Sequence, residues 1–477
     1  MTKFVGRKVE IKKILDTFNT RKGVINVIRG RRRIGKTTLI KELAHQRKGV
    51  TLRYLTSPPP RKDVSDEAER NTYALQVKTE FGLPFMPPHD TWQELFYFII
   101  SLCNEKKTIL AIDEVNWLAR KSSTPIENIL WEVWERECAQ KAGFMMILAG
   151  SLASWLEENI ISHEGFVGRI AEKITLKELR LSHVREFFGA RIDRAPQVDV
   201  IKLLCAFGGV PLYLEYIDLK LGAEENINKL AYSSSGSLHT EFDQMFNELF
   251  SAENQMYRKI LDAVGDSSKL LSPEEIAQKV GVTYTGRINN LLKTLCEIGF
   301  LKKETTWDTK KKKRGIKQRF RISDNYTAFY FRSIKKHAER VENTGINSEP
   351  LNVASILGLQ FEVLALNNID YIVEQLGVKN PIFIGGYFQT KTQRQEACQI
   401  DILIQTKSRL YICECKLLNE EVGTGIIKEV QTKIDRLTKD KKLSCHPVLI
   451  HANGVSHSVE ESDYFDRIID LRDALRS

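Results

Sequence analysis

Short runs of apolar, often β-branched residues alternate with amphipathic stretches in the first part of the chain. Three of these runs, 24–29, 108–112 and 144–149, predict buried strands. The first is followed closely by apolar residues at helical spacing over 39–44. Because buried strands that alternate with helices are typical of a parallel sheet with helices on its faces, we predict an α/β fold for this region.

The middle of the chain has a pattern of short helices followed by a hairpin. The segment 272–275, Ser-Pro-Glu-Glu, is a helix-capping signal that predicts a short helix over 275–280. A second helix is predicted over 285–298, and strands are predicted over 302–307 and 318–322. This order of elements predicts a helix-turn-helix followed by a wing.

Two apolar runs near the C-terminus carry isolated charges. The run 399–404 contains Asp401, and the run 409–416 contains Glu414 and Lys416. Because side chains alternate along a strand, Glu414 and Lys416 share one face, and the two cysteines beside Glu414 share the other. The short connection between the runs predicts a hairpin that brings Asp401 beside Glu414.

The composition argues against a membrane protein and a secreted protein. No run of about 18 apolar residues occurs among the 477, so we expect no membrane span. The first residues lack the apolar segment of a secretory signal. The eight cysteines include no Cys-x-x-Cys pair, which argues against a disulfide framework and a zinc ribbon. We therefore expect a cytoplasmic protein with no membrane partner.

The net charge of +10 is concentrated in one segment. Residues 301–340 hold 14 Lys and Arg against 4 Asp and Glu, an excess of 10 that equals the excess of the whole chain. A cationic segment of this kind is either a solvated loop or a contact for a polyanion. Its position on the predicted wing favours nucleic acid, with DNA as the expected partner. The candidate contacts are Arg287, Asn290, Lys310, Lys311, Lys312, Lys313 and Arg314.

A glycine-rich segment stands between the first predicted strand and the helix that follows it. Its sequence over 30–37, Gly-Arg-Arg-Arg-Ile-Gly-Lys-Thr, has the G-x-x-x-x-G-K-T pattern of a phosphate-binding loop. Backbone N–H groups of such a loop turn toward phosphates, and the helix N-terminus adds positive potential. We expect Lys36 to contact the β- and γ-phosphates of ATP and Thr37 to ligate Mg²⁺. The other candidate binding residues of the loop are Gly30, Gly35 and Thr38.

The ends of the next two predicted strands carry further candidates. Asp113 and Glu114 follow the second strand, where Asp113 is expected to hold Mg²⁺ and Glu114 to activate the attacking water. Ser151 follows the third strand, and its hydroxyl either contacts the γ-phosphate and the lytic water or caps the next helix. Arg169 is a candidate for a charge-stabilising arginine, acting within the chain or across a subunit interface of a homo-oligomer.

The order of these motifs resembles the archaeal-type ATPases, relatives of the STAND and origin-recognition branches of the AAA+ class. The matching segments are Phe4-Val5-Gly6-Arg7 with Glu10, the loop 30–37, Ala111-Ile112-Asp113-Glu114, Leu148-Ala149-Gly150-Ser151 and Gly208-Gly209-Val210-Pro211. The resemblance implies that Arg7 lies by the nucleotide base and that Arg33 belongs to the arginine-rich loop. It also implies that 208–211 belongs to a helical lid, and that winged helices in this class serve either to bind nucleic acid or to pack domains together.

The C-terminal pattern Asp401…Glu414-x-Lys416 resembles the PD-(D/E)XK restriction-endonuclease-like superfamily. The resemblance implies a Mg²⁺ site on Asp401 and Glu414, with Glu362 as a further acidic ligand from the first helix and Gln431 at an accessory position. The residue before Asp401 is Ile rather than the Pro of the pattern. Some members hold an iron–sulfur cluster, but we predict that Cys413 and Cys415 pack as small apolar residues in the core.

These patterns predict an α/β protein of four domains. We expect a P-loop ATPase core over 1–190, a helical lid over 191–250, a winged helix over 251–345 and a nuclease-like α/β domain over 346–477. The favoured function is an ATP- and Mg²⁺-dependent nuclease, with a place in genome defence or a mobile element. The alternatives are a STAND-like ATP switch and a DNA-remodelling ATPase whose C-terminal domain does not cleave.

Overall fold

The structure is a computed structural model that describes residues 4–18, 21–58, 64–104, 107–119, 122–250, 255–344, 353–393, 395–437, 439 and 442–476. It divides into two compact units, Met1–Lys177 and Glu178–Ser477. The first unit therefore ends before the boundary that we predict at residue 190. The boundaries that we predict after residues 250 and 345 fall at residues outside the described ranges, and the four-domain division stays a prediction.

The first unit contains one sheet and its covering helices. Its strands are β1 (Val24–Arg29), β2 (Thr51–Thr56), β3 (Thr108–Asp113), β4 (Phe144–Gly150) and β5 (Ile170–Thr175). Its helices are α1 (Lys8–Thr17), α2 (Lys36–Gln46), α3 (Asp66–Phe81), α4 (Trp92–Leu102), α5 (Ile126–Val133) and α6 (Ala153–Leu156). The three predicted strands are confirmed as β1, β3 and β4.

The sheet has the order β2-β3-β4-β1-β5, and every neighbouring pair is parallel. Strands β3 and β4 are buried along their whole length, which explains why their sequences are continuous apolar runs rather than alternating ones. Because all five strands run the same way, the carboxyl ends of β1, β3 and β4 meet at one edge. That edge is where a doubly wound sheet binds its ligand.

The second unit begins with helices and ends with a sheet. Its helices are α7 (Leu181–Phe188), α8 (Gln197–Phe207), α9 (Pro211–Tyr216), α10 (Ala223–Ala231), α11 (Glu241–Leu249), α12 (Gln255–Gly265), α13 (Pro273–Val280), α14 (Gly286–Ile298), α15 (Asn325–Phe329), α16 (Lys335–Thr344), α17 (Ala354–Asn367), α18 (Ile369–Gln375), α19 (Gly425–Arg436) and α20 (His457–Glu461). Its strands are β6 (Leu301–Asp308), β7 (Lys313–Ile322), β8 (Phe383–Gln389), β9 (Cys398–Gln405), β10 (Arg409–Lys416), β11 (Ser444–His451) and β12 (Arg467–Asp470).

Helices α12 to α14 and the hairpin β6–β7 form the predicted helix-turn-helix with a wing. The hydroxyl of Ser272 accepts from the N–H of Glu275, whose side chain accepts from the N–H of Ser272, so the predicted capping box is present. Helix α14 buries Ile288, Leu292 and Leu295, which lie on one face of the helix.

The wing differs from its prediction at the tip. Strand β7 begins at Lys313, so Lys313 and Arg314 belong to the strand, whereas the predicted strand begins only at residue 318. The guanidinium of Arg314 donates to the hydroxyl of Thr305 on the paired strand, 3.1 Å away. Asp308 organises the turn by accepting from the N–H groups of Lys310 and Lys311. The tip is therefore shorter and holds fewer cations than the sequence pattern indicated.

The C-terminal sheet has the order β12-β11-β10-β9-β8. The pairs β8–β9 and β9–β10 are antiparallel, whereas the pairs β10–β11 and β11–β12 are parallel. The hairpin predicted for the two charged runs is confirmed as β9–β10. Cys413 and Cys415 are buried, and all eight cysteines are free thiols. The prediction that these two cysteines pack in the core is confirmed.

The wing packs against the edge strand β8 of the C-terminal sheet. The ring of Trp307 stacks on Phe383 with centroids 4.5 Å apart, and its Nε1 donates to Oε1 of Gln405 at 2.6 Å. Further along the hairpin, Lys317 Nζ donates to the hydroxyl of Thr390 at 2.9 Å. An unpaired strand edge is open to association with other chains, and here the wing covers it.

Within the described part of the chain, no single helix has the length and apolar composition of a membrane span. The pair α17 and α18, which is bent by 73°, meets the criterion only when the two helices are taken together.

Candidate functional site at the nucleotide loop and the carboxylate pair

The phosphate-loop pattern lies between β1 and α2, as predicted. Gly35 is the N-cap of α2 and has a φ of 92°, a backbone conformation that a side chain would strain. Lys36 and Thr37 are therefore in the first turn of α2, where free N–H groups and the helix dipole favour an anion. Thr38 lies beside them and is exposed, whereas Lys36 is buried.

Lys36 reaches back over the loop. Its ammonium group donates to the carbonyl of Gly30 at 3.0 Å and lies 3.5 Å from the carbonyl of Arg31. The same nitrogen lies 3.3 Å from Oε1 of Glu114. The structure thus places the lysine of the loop beside the acidic residue that follows β3.

Thr37 and Asp113 form the candidate Mg²⁺ site for the nucleotide. The hydroxyl of Thr37 donates to Oδ2 of Asp113 at 2.8 Å. The sequence analysis missed Tyr54 on β2, whose hydroxyl donates to the same carboxylate oxygen at 2.7 Å. A hydroxyl and a carboxylate are the oxygen ligands that Mg²⁺ takes in proteins, so these residues fit the ion. Tyr54 is placed to fix the orientation of Asp113.

Glu114 is held in a strained backbone conformation. Its φ of 52° lies in the left-handed region, which a residue other than glycine rarely adopts. Its Oε2 accepts from both the hydroxyl of Ser151, at 2.6 Å, and the N–H of Ser151, at 3.1 Å. The Ser151 hydroxyl therefore contacts Glu114, and its predicted contact with the γ-phosphate and the lytic water stays a prediction.

A second residue missed by the sequence analysis is Asn116, which is buried behind this edge. Neither polar atom of its side chain has a hydrogen-bond partner among the described residues. A Cβ on Gly150 would come within 2.3 Å of its Oδ1, so the glycine before Ser151 makes room for this amide.

Arg169 does not lie at the nucleotide edge of its own unit. It immediately precedes β5, which pairs with β1 so that Ile170 is opposite Ile25 and Thr175 is opposite Arg29. Arg169 is therefore at the end of the sheet away from the phosphate loop, where its guanidinium contacts Glu135 at 3.1 Å. The predicted role within the chain is wrong for this reason, and a role across a subunit interface stays a prediction.

Arg7 is buried at the start of α1. Its guanidinium donates to the carbonyl of Lys177 and lies 3.5 Å from Oε1 of Glu10. These contacts fix the side chain to the first unit, and its role beside the nucleotide base stays a prediction. Arg33 lies in the phosphate loop with a φ of 65°.

The second candidate site lies on the hairpin β9–β10. Cys413 pairs with Ile402, and Glu414 and Asp401 are the next residues along the two strands. Both carboxylates are buried, and Oδ2 of Asp401 accepts from the N–H of Cys415 at 2.8 Å. They line a cavity of about 340 Å³. The prediction that the hairpin brings Asp401 beside Glu414 is thus confirmed.

Burial and like charge act together on these carboxyl groups. Burial, followed by the charge of Glu362, raises the pKa of Asp401 to about 6. Burial, followed by the charge of Asp401, raises the pKa of Glu414 to about 7. Carboxylates placed in this way repel each other, and a cation beside them relieves the repulsion.

Two lysines supply positive charge. Lys416 Nζ lies 3.1 Å from Oε1 of Glu414 and 2.9 Å from Oε1 of Glu429. Lys433 Nζ lies 2.5 Å from Oε2 of Glu414 and 3.7 Å from Oδ1 of Asp401. Lys416 was predicted, whereas Lys433 and Glu429 were missed. Their spacing of four residues, which places both on one face of a helix, is the signal that could have found them.

The position assigned to Gln431 by resemblance is not part of this cavity. Gln431 Nε2 donates to Oδ1 of Asp435 at 2.7 Å, and its Oε1 accepts from the hydroxyl of Tyr464 at 3.0 Å. Helix α19 presents Glu429 and Lys433 to the cavity, and Gln431 between them lies on another face of the helix. The accessory role predicted for Gln431 is therefore wrong.

Glu362 lines the same cavity from α17. Gln360 positions this helix through two hydrogen bonds with Asn325. The Gln360 side-chain amide donates to the backbone carbonyl of Asn325 at 2.6 Å, and the Asn325 side-chain amide donates to the backbone carbonyl of Gln360 at 2.9 Å. Burial, followed by the charge of Glu414, raises the pKa of Glu362. No three His, Cys, Asp or Glu side chains among the described residues are arranged to hold a metal together, so Glu362 fits an outer contact better than a direct ligand.

The candidate nucleic-acid contacts lie on the surface of the second unit. Arg287 and Asn290 are exposed on α14, and Lys310 to Lys313 are exposed at the wing tip and the first residue of β7. Side chains that contact phosphates or bases must be exposed, but side chains of a solvated loop are exposed as well. The exposure of these residues therefore fits both interpretations.

Comparison with known proteins gives one family match and several similar chains. Residues 4–217 match the family described as an ATPase domain predominantly from Archaea. An uncharacterized protein of Methanocaldococcus jannaschii is 26% identical over 366 residues, which are 76% of each chain. A solved Walker-type ATPase of Pyrococcus abyssi has a TM-score of 0.51 at 17% identity, with 69% of this chain and 96% of that chain covered. At that identity the likeness shows the fold alone.

A weaker likeness is to the ORC2 protein of Aeropyrum pernix, with a TM-score of 0.43 and 12% identity over 71% of this chain and 94% of that chain. A score this low carries no argument. Residues 4–217 thus match an archaeal-type ATPase domain in sequence. The parallel sheet order and the phosphate loop with its strand-end carboxylates fit such a domain.

Proposed function

We propose that this protein is an ATPase that controls a metal-dependent nuclease site in its C-terminal domain. The family match over residues 4–217 supports the ATPase, and the nuclease is the new part of the proposal. The observation that carries it is the placement of Asp401 and Glu414 side by side, with Lys416 in contact with Glu414, around one cavity.

The ATPase chemistry is assigned to residues at the edge of the first sheet. Lys36 would bind the phosphates, and Thr37 and Asp113 would hold the nucleotide's Mg²⁺. Tyr54 orients Asp113 through its hydrogen bond to the carboxylate. Glu114 orients and deprotonates the water that attacks the γ-phosphate. Ser151 holds the Glu114 carboxylate in position, so it is assigned as a positioning residue.

The donor set of the C-terminal cavity fits a hard divalent cation. Asp401 and Glu414 offer only oxygen ligands, which is the preference of Mg²⁺. Bound between them, such an ion would lower the pKa of a water molecule and neutralise charge on the phosphate. The two carboxylates would ligate it directly, and Glu362 would reach it through water.

Lys416 acts as a cation in this reaction. Burial alone would lower the pKa of Lys416, but the contacts with Glu414 and Glu429 raise that pKa above the ordinary lysine value. The amine therefore stays protonated. It can then orient the attacking water and stabilise the charge that develops on the phosphate oxygens. As the water oxygen forms its bond to phosphorus, that water loses a proton to solvent. One bridging P–O bond breaks, and the departing oxygen takes up a proton from solvent.

Nucleic acid is proposed to reach the second unit along the exposed cations of the winged helix. Arg287 and Asn290 on α14 are assigned to base or groove contacts, and Lys310 to Lys313 are assigned to phosphates. Arg314 contributes less in this assignment, because it is engaged with Thr305 in the hairpin.

A second function is favoured by the packing of the wing. Trp307 stacks on Phe383 and donates to Gln405, so this hairpin is also a packing surface for the C-terminal sheet. A switch of the STAND type would use the winged helix in this way, to transmit a change of state without cleavage.

A cleavage assay distinguishes the two functions. The purified protein is incubated with labelled single- and double-stranded DNA and RNA, with Mg²⁺ or Mn²⁺, and with or without ATP. The nuclease proposal predicts metal-dependent products from at least one substrate, and their amount changes with ATP. Absence of cleavage under every combination, with ATP hydrolysis intact, would favour the switch.

A further inference from the structure

Lys433 occupies a particular position in the C-terminal cavity. Its ammonium group contacts Oε2 of Glu414 and lies 3.7 Å from Oδ1 of Asp401, so it bridges the two strands of the hairpin from α19. Burial alone would lower the pKa of Lys433, but the charges of Asp401 and Glu414 raise that pKa above the ordinary lysine value. The side chain is 20% exposed, so it can move toward the cavity mouth.

We propose that Lys433 is an internal cation that competes with a divalent metal ion for the carboxylates of Asp401 and Glu414. This inference rests on the proposed nuclease site and adds a regulatory element to it. Metal binding then requires the ammonium group to leave the carboxylate pair. The affinity of the site for metal is therefore lower than two buried carboxylates alone would give.

The competition follows from charge and from shared atoms. The oxygens that Lys433 contacts belong to the carboxylates that would ligate the metal. An ammonium group retained there would lie within a few ångströms of a doubly charged ion. Like charges at that separation repel strongly in a cavity where water is partly excluded. The two cations cannot both be bound tightly to the same pair.

Glu429 offers Lys433 an alternative partner. Its Oε1 lies 3.9 Å from the ammonium group, one helical turn before Lys433 on α19. Glu429 is 46% exposed, so an ion pair formed there lies closer to solvent than the one with Glu414. A change of side-chain rotamer would move the lysine from the carboxylate pair to Glu429, and no movement of the backbone is needed.

Calorimetric titration with Ca²⁺ measures the competition without any cleavage. Replacing Lys433 with Met removes the charge and keeps most of the side-chain length. Lys433→Met should therefore bind Ca²⁺ at least about tenfold more tightly than the wild type, a difference of about 1.4 kcal/mol in binding free energy. Lys433→Arg keeps the charge and should remain near the wild type. Lys428→Met, an exposed change on the same helix, is the matched control and should have no effect.

Two further variants separate failure of this inference from failure of the proposed site. Asp401→Asn should abolish Ca²⁺ binding in the Lys433→Met background, which shows that the measured site is the carboxylate pair. Glu429→Gln should weaken Ca²⁺ binding, because Lys433 loses its alternative partner. Equal or weaker Ca²⁺ affinity in Lys433→Met, with Asp401-dependent binding retained, overturns the competition. Absence of Asp401-dependent binding in every protein overturns the metal site itself.

Melting curves show whether Lys433→Met is folded and give a second measure of its Ca²⁺ binding. In EDTA, Lys433→Met should melt below the wild type, because two buried carboxylates have lost a partner. Added Ca²⁺ should raise its melting temperature by more than it raises that of the wild type. An equal or smaller increase would contradict the proposal.

Discussion

The hydroxyl of Ser151 donates a 2.6 Å hydrogen bond to Oε2 of Glu114, across the ends of neighbouring strands β4 and β3. The other oxygen of the same carboxylate lies 3.3 Å from the ammonium group of Lys36. The acid that is assigned to water activation is thus fixed from both sides. Its direction depends on a serine that lies 37 residues further along the chain.

Replacing Ser151 with Ala should reduce ATP turnover more than ATP binding. A hydrogen bond to a charged group contributes about 1.5–3 kcal/mol, so a loss of about tenfold or more in kcat is expected. Glu114→Gln should bind ATP and hydrolyse it still more slowly, because water activation itself is lost. Steady-state hydrolysis and equilibrium binding of a fluorescent ATP analogue measure the two effects. Unchanged kcat in Ser151→Ala would show that the bond does not position the base.

Tyr54→Phe should raise the Mg²⁺ concentration needed for half-maximal ATP hydrolysis. The change removes the 2.7 Å bond to Asp113 and leaves the ring in place. Partners that orient metal ligands typically change metal affinity by about 10- to 100-fold, so an increase of about tenfold is expected. Thr37→Ala, which removes a proposed direct ligand, should have a larger effect. A Mg²⁺ dependence identical to the wild type would remove Tyr54 from the site.

The carboxylate pair should make stability depend on pH when metal is chelated. The pKa of Asp401 is raised to about 6 and that of Glu414 to about 7, so the folded protein binds these protons more tightly than the unfolded chain. The associated stability is present below the ordinary carboxyl pKa of about 4 and is lost as the pH rises through about 6 to 7. In EDTA, the melting temperature of the wild type should therefore fall relative to Glu414→Gln between about pH 5 and pH 8. Parallel melting curves would contradict the shift.

Substituting Ser for Lys310 to Lys313 should weaken nucleic-acid binding most at low salt. Each phosphate contact on duplex DNA contributes about −0.9 to the slope of log affinity against log salt, so losing three or four contacts should flatten the slope by roughly 3. Fluorescence anisotropy over a salt series measures it. Lys12 and Lys13, exposed on α1, give a control for net charge when they are replaced with Ser. An unchanged slope in the wing variant would mean that the tip is only a solvated loop.

The sequence alone was enough to predict those parts of the two sites that are built from residues close together in the chain. The loop 30–37, the carboxylates after β3 and the hairpin with Asp401 and Glu414 each follow from a strand, a turn and a residue type that lie close together in the chain. A strand that is buried on both faces is a continuous apolar run, so its end is easy to locate.

The missed residues depend on long-range packing. Tyr54 reaches Asp113 because β2 lies beside β3, and Lys433 reaches Glu414 because α19 folds back on the hairpin. The wrong role for Arg169 has the same cause, because only the parallel pairing of β5 with β1 shows at which end of the sheet it lies. The wing was predicted as a hairpin, but nothing local in its sequence indicated that Trp307 packs on the C-terminal sheet.

The central claim is tested most directly by measuring both activities in one variant. Asp401→Asn removes one carboxylate charge from the cavity and leaves the first unit intact, so it should abolish metal-dependent cleavage and keep ATP hydrolysis at the wild-type rate. Lys416→Met should behave in the same way, and Glu362→Gln should lose less cleavage, because an outer contact is replaced by water more easily. Cleavage that persists in Asp401→Asn at the wild-type rate would contradict the assignment of the nuclease site to the carboxylate pair.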